Sequence, residues 1–270
     1  MSTYVMSLAG LDPSGGAGLL ADIKTFEAHR LHGLGVCTAL TAQTDSEFLG
    51  VEWLTADKII AQALPLLEKF PVAYCKVGIV SHPAVLAEVF PALRKIAPGL
   101  QFILDPVLKA SAGYVFHSAI SRQWEAVLPY LRLLTPNFEE VIAMSGEPHG
   151  EKAAQHLARH CAVLLKGGHR MDRKGWDILY DGDARIDFGP HSDDVFPKHG
   201  SGCVLSAAIT ALLAKGLLLE DACREGKAYT YRYLQSSPSL LGWHGMQNAL
   251  QNSSDFGHHL TCSIKQKGQQ

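Results

Sequence analysis

Two glycines and a cysteine lead straight into an apolar helical pattern in the run Lys198-His199-Gly200-Ser201-Gly202-Cys203-Val204-Leu205-Ser206-Ala207-Ala208. A helix start presents unpaired backbone N–H groups and the positive end of the helix dipole. Such a segment suits an anion, for instance a phosphoryl group in transfer. Glycine at 200 and 202 lets a ligand approach the backbone with no Cβ in the way. Cys203 falls in the first turn, where the same field is expected to lower a thiol pKa towards the thiolate. An ordinary loop-to-helix turn with a buried structural cysteine is the competing explanation.

A second glycine cluster, Gly10-Leu11-Asp12-Pro13-Ser14-Gly15-Gly16-Ala17-Gly18, follows the first apolar run and opens a helical pattern. No Gly-Lys-Ser/Thr follows it, and the spacing G-x-G-x-x-G fails, so neither common nucleotide loop is present. A tight turn or a close approach by a ligand both remain. Asp105, in Leu104-Asp105-Pro106-Val107, sits at the C-terminal end of an apolar run, the edge where open α/β sheets bind ligands. Thr135-Pro136-Asn137-Phe138-Glu139-Glu140 places Asn137 at a helix cap and Glu140 one turn in. That pattern is a capping box, or, with Asp105, a holder for the waters of a hydrated Mg²⁺. Lys166, in Lys166-Gly167-Gly168-His169, ends a further run and is set to meet a phosphate or solvent. His169 reads as a surface or cap residue, and His258-His259 is too isolated for a metal site.

The elements that must position these groups alternate regularly. Strand-like runs cover residues 4–9, 35–42, 72–77, 100–104, 131–135 and 162–166. Between them, residues 19–29, 56–69, 83–97, 118–128, 138–144 and 152–159 carry apolar positions near a period of 3.6. Strands separated by such helices predict repeated βαβ units and a mostly parallel sheet. Residues 178–187 predict a hairpin around Asp181-Gly182, followed by long helices at 204–215 and 221–234. One α/β domain over residues 1–252 is expected, with a polar, frayed tail at 253–270.

The composition narrows the function classes. Lys plus Arg total 24 against 26 for Asp plus Glu, which argues against an electrostatic nucleic-acid binder. With 47% hydrophobic residues the chain is no disordered polymer. No C-x-x-C spacing links its six cysteines, so a thiolate zinc site is not expected. The first ten residues lack the basic flank and cleavage site of a signal peptide. The longest nearly apolar stretch, 204–214, falls short of the roughly 20 residues that span a bilayer. A cytoplasmic enzyme with free thiols, binding neither membrane nor nucleic acid, is the expectation.

In chain order these segments resemble the ribokinase-like superfamily and, within it, the hydroxymethylpyrimidine/phosphomethylpyrimidine kinases of thiamine biosynthesis. The similarity runs through the glycine cluster at 10–18, Ala21-Asp22-Ile23-Lys24-Thr25, Thr38-Ala39-Leu40-Thr41-Ala42-Gln43, Lys76-Val77-Gly78 and Asp105-Pro106-Val107. It continues through Thr135-Pro136-Asn137, Lys166-Gly167-Gly168-His169 and Asp177-Ile178-Leu179-Tyr180-Asp181-Gly182, and closes on the run from Gly200. The resemblance implies a three-layer sandwich, its mostly parallel central sheet covered by helices on both faces. It implies ATP-dependent phosphorylation of 4-amino-5-hydroxymethyl-2-methylpyrimidine and then of its monophosphate, with ATP and Mg²⁺ as cofactors and a homodimer as the assembly.

By the same resemblance, Gly200, Ser201, Gly202 and Cys203 form the anion hole. Cys203 stands where most ribokinase relatives carry an Asp base; a base role and a positioning role both stay open. Asp105 and Glu140 are the implied metal residues, while Lys166, Asn137 and Ser201 serve the nucleotide. Gly10, Asp22, Gln43 and Val107 are the implied substrate residues. An amide at 43 can both donate and accept, which matches a ring nitrogen beside an exocyclic amine.

Three stretches depart from the family pattern. After Gln43 the run is Thr44-Asp45-Ser46-Glu47-Phe48-Leu49-Gly50 in place of Asn-Thr and a nearby Gly. Ile79 stands where a pocket-lining Met is common. Leu108-Lys109-Ala110-Ser111-Ala112-Gly113 replaces the usual Met-Val-Ala-Lys-Ser-Gly, with Lys109 and Ser111 as candidates to compensate at the lid. The run Ser111-Ala112-Gly113-Tyr114-Val115 is reminiscent of vitamin B6 kinases, so a pyridoxal/pyridoxine kinase is the first alternative. A non-catalytic pyrimidine-binding protein is the second. The intact set of Asp105, Asn137, Glu140, Lys166 and Cys203 argues against it.

Overall fold

The structure is a computed structural model and describes residues 3–109, 116, 123–168, 173–191 and 194–245. In chain order the elements are β1 (Tyr4–Leu11), α1 (Gly18–Ala28), β2 (His32–Gln43), β3 (Phe48–Trp53), α2 (Ala56–Lys69), β4 (Val72–Val77) and α3 (Pro83–Ile96). There follow β5 (Gln101–Leu104), β6 (Leu131–Leu134), α4 (Phe138–Ser145), α5 (Gly150–Leu157), β7 (Ala162–Leu165), β8 (Asp177–Asp181), β9 (Ala184–Phe188), α6 (Ser201–Ala214) and α7 (Leu219–Gln235). The strands form one nine-stranded sheet in the order β3-β2-β1-β4-β5-β6-β7-β8-β9. From β2 to β7 neighbouring strands are parallel; β3, β8 and β9 pair antiparallel at the two ends.

The expected three layers are present. Helices α2 to α5 cover one face, over a core that includes Leu86, Phe90, Phe102 and Met144. Helices α1, α6 and α7 cover the other, over Ile103, Leu133, Leu164 and Ile209. Strands covered on both faces read as unbroken apolar runs because neither side of the pleat meets water; Val163, Leu164 and Leu165 are all buried. Helix α6 lies between the sheet and the outer helices and is buried on every side from Val204 to Leu213, which explains a sequence with no polar stripe. In α7, Gly226 lets that helix approach closely, since a Cβ there would lie 2.7 Å from Cγ1 of Ile209.

Most expected elements fall within a residue or two of their observed ends, and the hairpin forms as β8 and β9. Its two-residue loop is Gly182-Asp183, with Gly182 at φ +59°. Two expectations need correction. The helix expected at 118–128 is absent from its described part: residues 123–130 make tight turns that end in a 3-10 turn at Leu128–Tyr130. Trp124, Val127 and Leu128 are buried at helix-like spacing, but Pro129 has no N–H to continue a ladder. Strand β3 was not expected; Thr44 turns the chain by accepting the N–H groups of Ser46 and Glu47 on Oγ1. Residues 236–245 pack back on the body, with the His199 N–H donating to the Leu240 carbonyl at 2.9 Å. The tail at 253–270, His258-His259, His169 and the run 111–115 lie outside the described residues.

Candidate active site

Successive parallel strands end on one edge of the sheet, and the chain places its polar residues there. Gly10 is the last residue but one of β1, Gln43 closes β2, and Gly78 and Ile79 follow β4. Asp105 and Val107 follow β5, Asn137 follows β6, and Lys166 follows β7. Facing this edge is the start of α6, with Gly200 at its N-cap in the left-handed conformation, φ +73°.

The two glycine segments interlock, so neither of the local explanations offered for the first one is complete. A Cβ at Gly200 would stand 2.2 Å from the Gly16 carbonyl oxygen, and one at Gly18, φ +57°, would stand 2.2 Å from the Gly10 carbonyl oxygen. Asp12 organises the contact. Its carboxylate accepts the N–H groups of Ser14 at 2.9 Å and Ala17 at 2.8 Å, and the Ser14 hydroxyl at 2.9 Å. Nε2 of His199 lies 2.9 Å from Oδ2 of the same carboxylate. Burial works to raise the Asp12 pKa, but the bonds from His199, Ser14 and Ala17 outweigh it and hold the carboxyl below its usual range. His199 was assigned no role from sequence, although it directly precedes Gly200.

At the other end of the site Nζ of Lys166 lies 2.6 Å from Oδ1 of Asp105 and 4.0 Å from Oε2 of Glu140. Burial alone would discharge this lysine, yet the two carboxylates raise its pKa above the ordinary value. The capping box also exists: Asn137 Oδ1 accepts the Glu140 N–H at 2.9 Å, and Glu140 Oε2 accepts the Asn137 N–H at 2.7 Å. Glu140 is thus both a cap and a neighbour of Lys166, and burial raises its pKa. Gly202 touches this cluster, because a Cβ there would lie 3.3 Å from Nζ of Lys166 and 3.5 Å from Oδ2 of Asp105. The start of α6 and the lysine therefore face one small volume, beside Ser201 in the first turn.

Cys203 corrects one expectation. Desolvation pushes its thiol up to about 11, with Asp105 and Asp22 adding to the effect and Lys76 opposing it. The helix start does not produce a thiolate at neutral pH, because burial among carboxylates costs the anion more than the dipole returns. Asp22 lies deeper than an open pocket wall. Its Oδ2 takes the Ser7 hydroxyl at 2.6 Å and Nζ of Lys76 at 2.8 Å, both partners of the ion pair being fully buried, while Oδ1 has no hydrogen-bond partner. Lys76, another residue without an assigned role, stays protonated because Asp22, with Asp105 adding to it, outweighs the cost of burial.

On the opposite side Gln43 donates through Nε2 to the Thr41 hydroxyl at 2.9 Å, which donates to the Leu11 carbonyl at 2.7 Å. Ile79 rests on Gly10, where a Cβ would lie 2.4 Å from its Cδ1. Val107 is half-buried. Beyond it, Phe116 packs edge-on against Phe48 at 5.3 Å and Trp53 at 5.8 Å, both of β3. Among the described residues no group of three or more His, Cys, Asp or Glu is placed to hold a metal. Two carboxylates with oxygen donors only, Asp105 and Glu140, fit Mg²⁺, which keeps its waters and takes ligands from bound phosphates.

A glycine-rich helix start, a half-buried lysine and two carboxylates at the C-terminal edge of a mostly parallel sheet are the features of a phosphoryl-transfer enzyme of the ribokinase-like fold. Residues 12–248 match the family Phosphomethylpyrimidine kinase, and the chain belongs to that family. It is 34% identical over 251 residues to a hydroxymethylpyrimidine/phosphomethylpyrimidine kinase of Rhizobium meliloti (strain 1021), covering 89% of this chain and 93% of that one. Among solved structures, the phosphomethylpyrimidine kinase of Clostridium difficile 630 superposes with a TM-score of 0.71 at 30% identity, over 85% of this chain and 98% of that one. The ADP complex of a Bacillus subtilis pyridoxal kinase superposes with a TM-score of 0.78 at 25% identity, over 90% and 98%.

Proposed function

We propose that the protein transfers the γ-phosphoryl group of ATP to the hydroxymethyl oxygen of 4-amino-5-hydroxymethyl-2-methylpyrimidine, and then phosphorylates the monophosphate to the diphosphate, in thiamine biosynthesis. The observation that carries this reading is the meeting of the Gly200–Cys203 helix start with Lys166 and Asp105 at Gly202. Phosphoryl transfer asks mainly for positioning and charge stabilisation around a loose transition state. Backbone N–H groups at 200–203 would receive the equatorial oxygens of the transferring group. Lys166 would hold the nucleotide phosphates, with Asn137 and Ser201 beside it.

Asp105 and Glu140 would hold Mg²⁺ through its waters, and that ion supplies neutralisation of the phosphate charge. The acceptor oxygen forms its bond to the γ-phosphorus as the bond to the bridging oxygen breaks and ADP leaves. In a loose transition state the hydroxyl proton departs late. A thiol at about 11 therefore suits Cys203 to positioning the hydroxymethyl group more than to taking its proton beforehand. Gln43, held by Thr41, would pair with the pyrimidine edge over Gly10 and Val107. Asp22 would act from below through its unpartnered Oδ1.

Vitamin B6 kinase activity is the second reading, favoured by the similarity to the pyridoxal kinase and by Ile79 at the pocket floor. Residues 1–252 are read as one kinase domain, working as a homodimer in the cytoplasm. The exposed Leu40 and Leu49 on the β2–β3 hairpin offer apolar surface for a second copy, and five cysteines are free thiols among the described residues. No helix among those residues is long and apolar enough to cross a membrane. Incubating the protein with Mg-ATP and either the pyrimidine or its monophosphate, with products read by mass, tests the proposal. Mono- and diphosphate products support it; ligand binding with no phosphorylated product overturns it.

A further inference from the structure

Between β7 and β8 the sheet opens like a fork, and the residue at the opening is Lys166. The antiparallel ladder runs from Val163 opposite Tyr180 to Leu165 opposite Ile178 and stops there. Lys166 turns to the other side, where its N–H donates to the Pro136 carbonyl at 2.8 Å and it bridges Asn137. The next N–H, that of Gly167, is buried with no strand opposite. It donates instead to Oδ1 of Asp177 at 2.8 Å. Asp177 is in turn paired through Oδ2 with Nζ of Lys227 in α7 at 2.6 Å, with side-chain exposures of 8% and 6%. The same ammonium donates to the Gly175 carbonyl at 2.6 Å, and Gly175 donates to the Gly167 carbonyl at 3.0 Å.

We propose that Lys227, through Asp177, is a positioning residue for the nucleotide end of the site. A side-chain carboxylate replaces the missing rung of the ladder, and the lysine supplies the charge that lets that carboxylate be buried. The pair fixes the direction in which Lys166 leaves the sheet. Helix α7 reaches this point because Gly226, the preceding residue, allows it against Ile209 of α6, the helix that begins at Gly200. One short path therefore references Lys166 to the anion-binding helix. The inference rests on the proposed role of Lys166 towards the nucleotide.

The test compares kcat and KM for ATP and for the pyrimidine in Lys227→Met, Lys166→Met and the double variant. Misplacement of the lysine should raise the KM for ATP or lower kcat by roughly 10- to 100-fold, with the pyrimidine KM nearly unchanged. In the Lys166→Met background the Lys227→Met change should add little, because residues acting through one another are not additive. Lys227→Arg should recover much of the loss. A lowered Tm with unchanged kinetic constants, an equal effect on both substrates, or additive losses would each overturn the proposal.

Should Lys227→Met fail to fold, the paired change Asp177→Leu with Lys227→Met leaves no lone buried charge but still deprives Gly167 of its acceptor. A raised ATP KM there supports the proposal, and wild-type constants overturn it. If Lys166→Met itself leaves ATP handling intact, the assignment of Lys166 fails and takes this inference with it. If Lys166→Met is damaging and Lys227→Met is not, the inference alone fails.

Discussion

Cys203 is where two physical effects compete most openly. A helix start favours a thiolate, but desolvation and the nearby Asp105 and Asp22 disfavour the anion, and its pKa stands at about 11. At pH 7 the thiol is therefore protonated, and the thiolate fraction rises about tenfold for each pH unit up to that value. Alkylation of the peptide containing Cys203 by iodoacetamide should be slow at pH 7 and still climbing at pH 10, read by peptide mass. A plateau near pH 8 would show a lowered pKa and restore the thiolate base. Cys203→Ala should lower kcat by roughly 10- to 100-fold, the cost of losing orientation, with ATP binding kept. Gln43→Leu should raise the KM for the pyrimidine by about tenfold, the loss of a buried hydrogen bond or two, and leave the KM for ATP alone. Of the groups gathered here, His199 and Lys76 carry no local signal, while Asp105, Glu140, Lys166 and Cys203 were legible as chemistry-bearing types. The sign of the Cys203 shift was not, because desolvation depends on neighbours 181 and 98 positions away in the chain, Asp22 and Asp105.

At the scale of elements, the glycine loop and the start of α6 behave as one piece. Gly200→Ala adds a Cβ 2.2 Å from a backbone oxygen at a residue with φ +73°, so the two loops must part. Destabilisation of about 1–3 kcal/mol from the backbone conformation alone is expected, together with loss of turnover, measured by urea unfolding and assay. Asp12 adds a pH dependence. Its folded pKa is below the unfolded value of 3.8, so its contribution is complete above that value and is lost as the pH falls through the folded one. The stability gap between the protein and Asp12→Asn should thus be constant from pH 7 to about 5 and shrink below about 4. A gap that widens on acidification would contradict the Asp12–His199 arrangement.

The alternation of apolar runs revealed six strands and most helices, because burial on both faces leaves a plain signature in composition. It did not reveal β3, a half-exposed edge strand, nor the turns at 123–130, whose apolar spacing imitates a helix up to Pro129. The Asp12–His199 contact spans 187 positions, and no local pattern encodes it.

Across the whole molecule the site is a consequence of layering. Two helical layers close over one sheet and bring lysines against carboxylates that arrive from distant strands or helices. Lys76 with Asp22, Lys166 with Asp105 and Lys227 with Asp177 are three such pairs. The core carries the site on its strands: Phe102 of β5 stacks on Phe90 of α3 at 3.9 Å, three residues before Asp105. Phe102→Ala should cost roughly 3–5 kcal/mol in chemical unfolding, while the folded fraction at low temperature keeps its KM for ATP. The order of the motifs made the fold and the kinase family legible, since most of them sit at strand ends or helix starts along one edge of the sheet. The long-range ion pairs were not, because a lysine in a sequence carries no sign of which carboxylate it will meet.

The most direct measurement is a competition reaction, with the hydroxymethylpyrimidine and pyridoxal at equal concentration and limiting Mg-ATP, and both phosphorylated products followed over time. Their initial rates give the ratio of the two kcat/KM values. A site that reads the pyrimidine edge through Gln43 should form pyrimidine phosphate in large excess. Pyridoxal phosphate as the dominant product would contradict that account and make Ile79 and the segment after Asp105 the determinants of a vitamin B6 kinase.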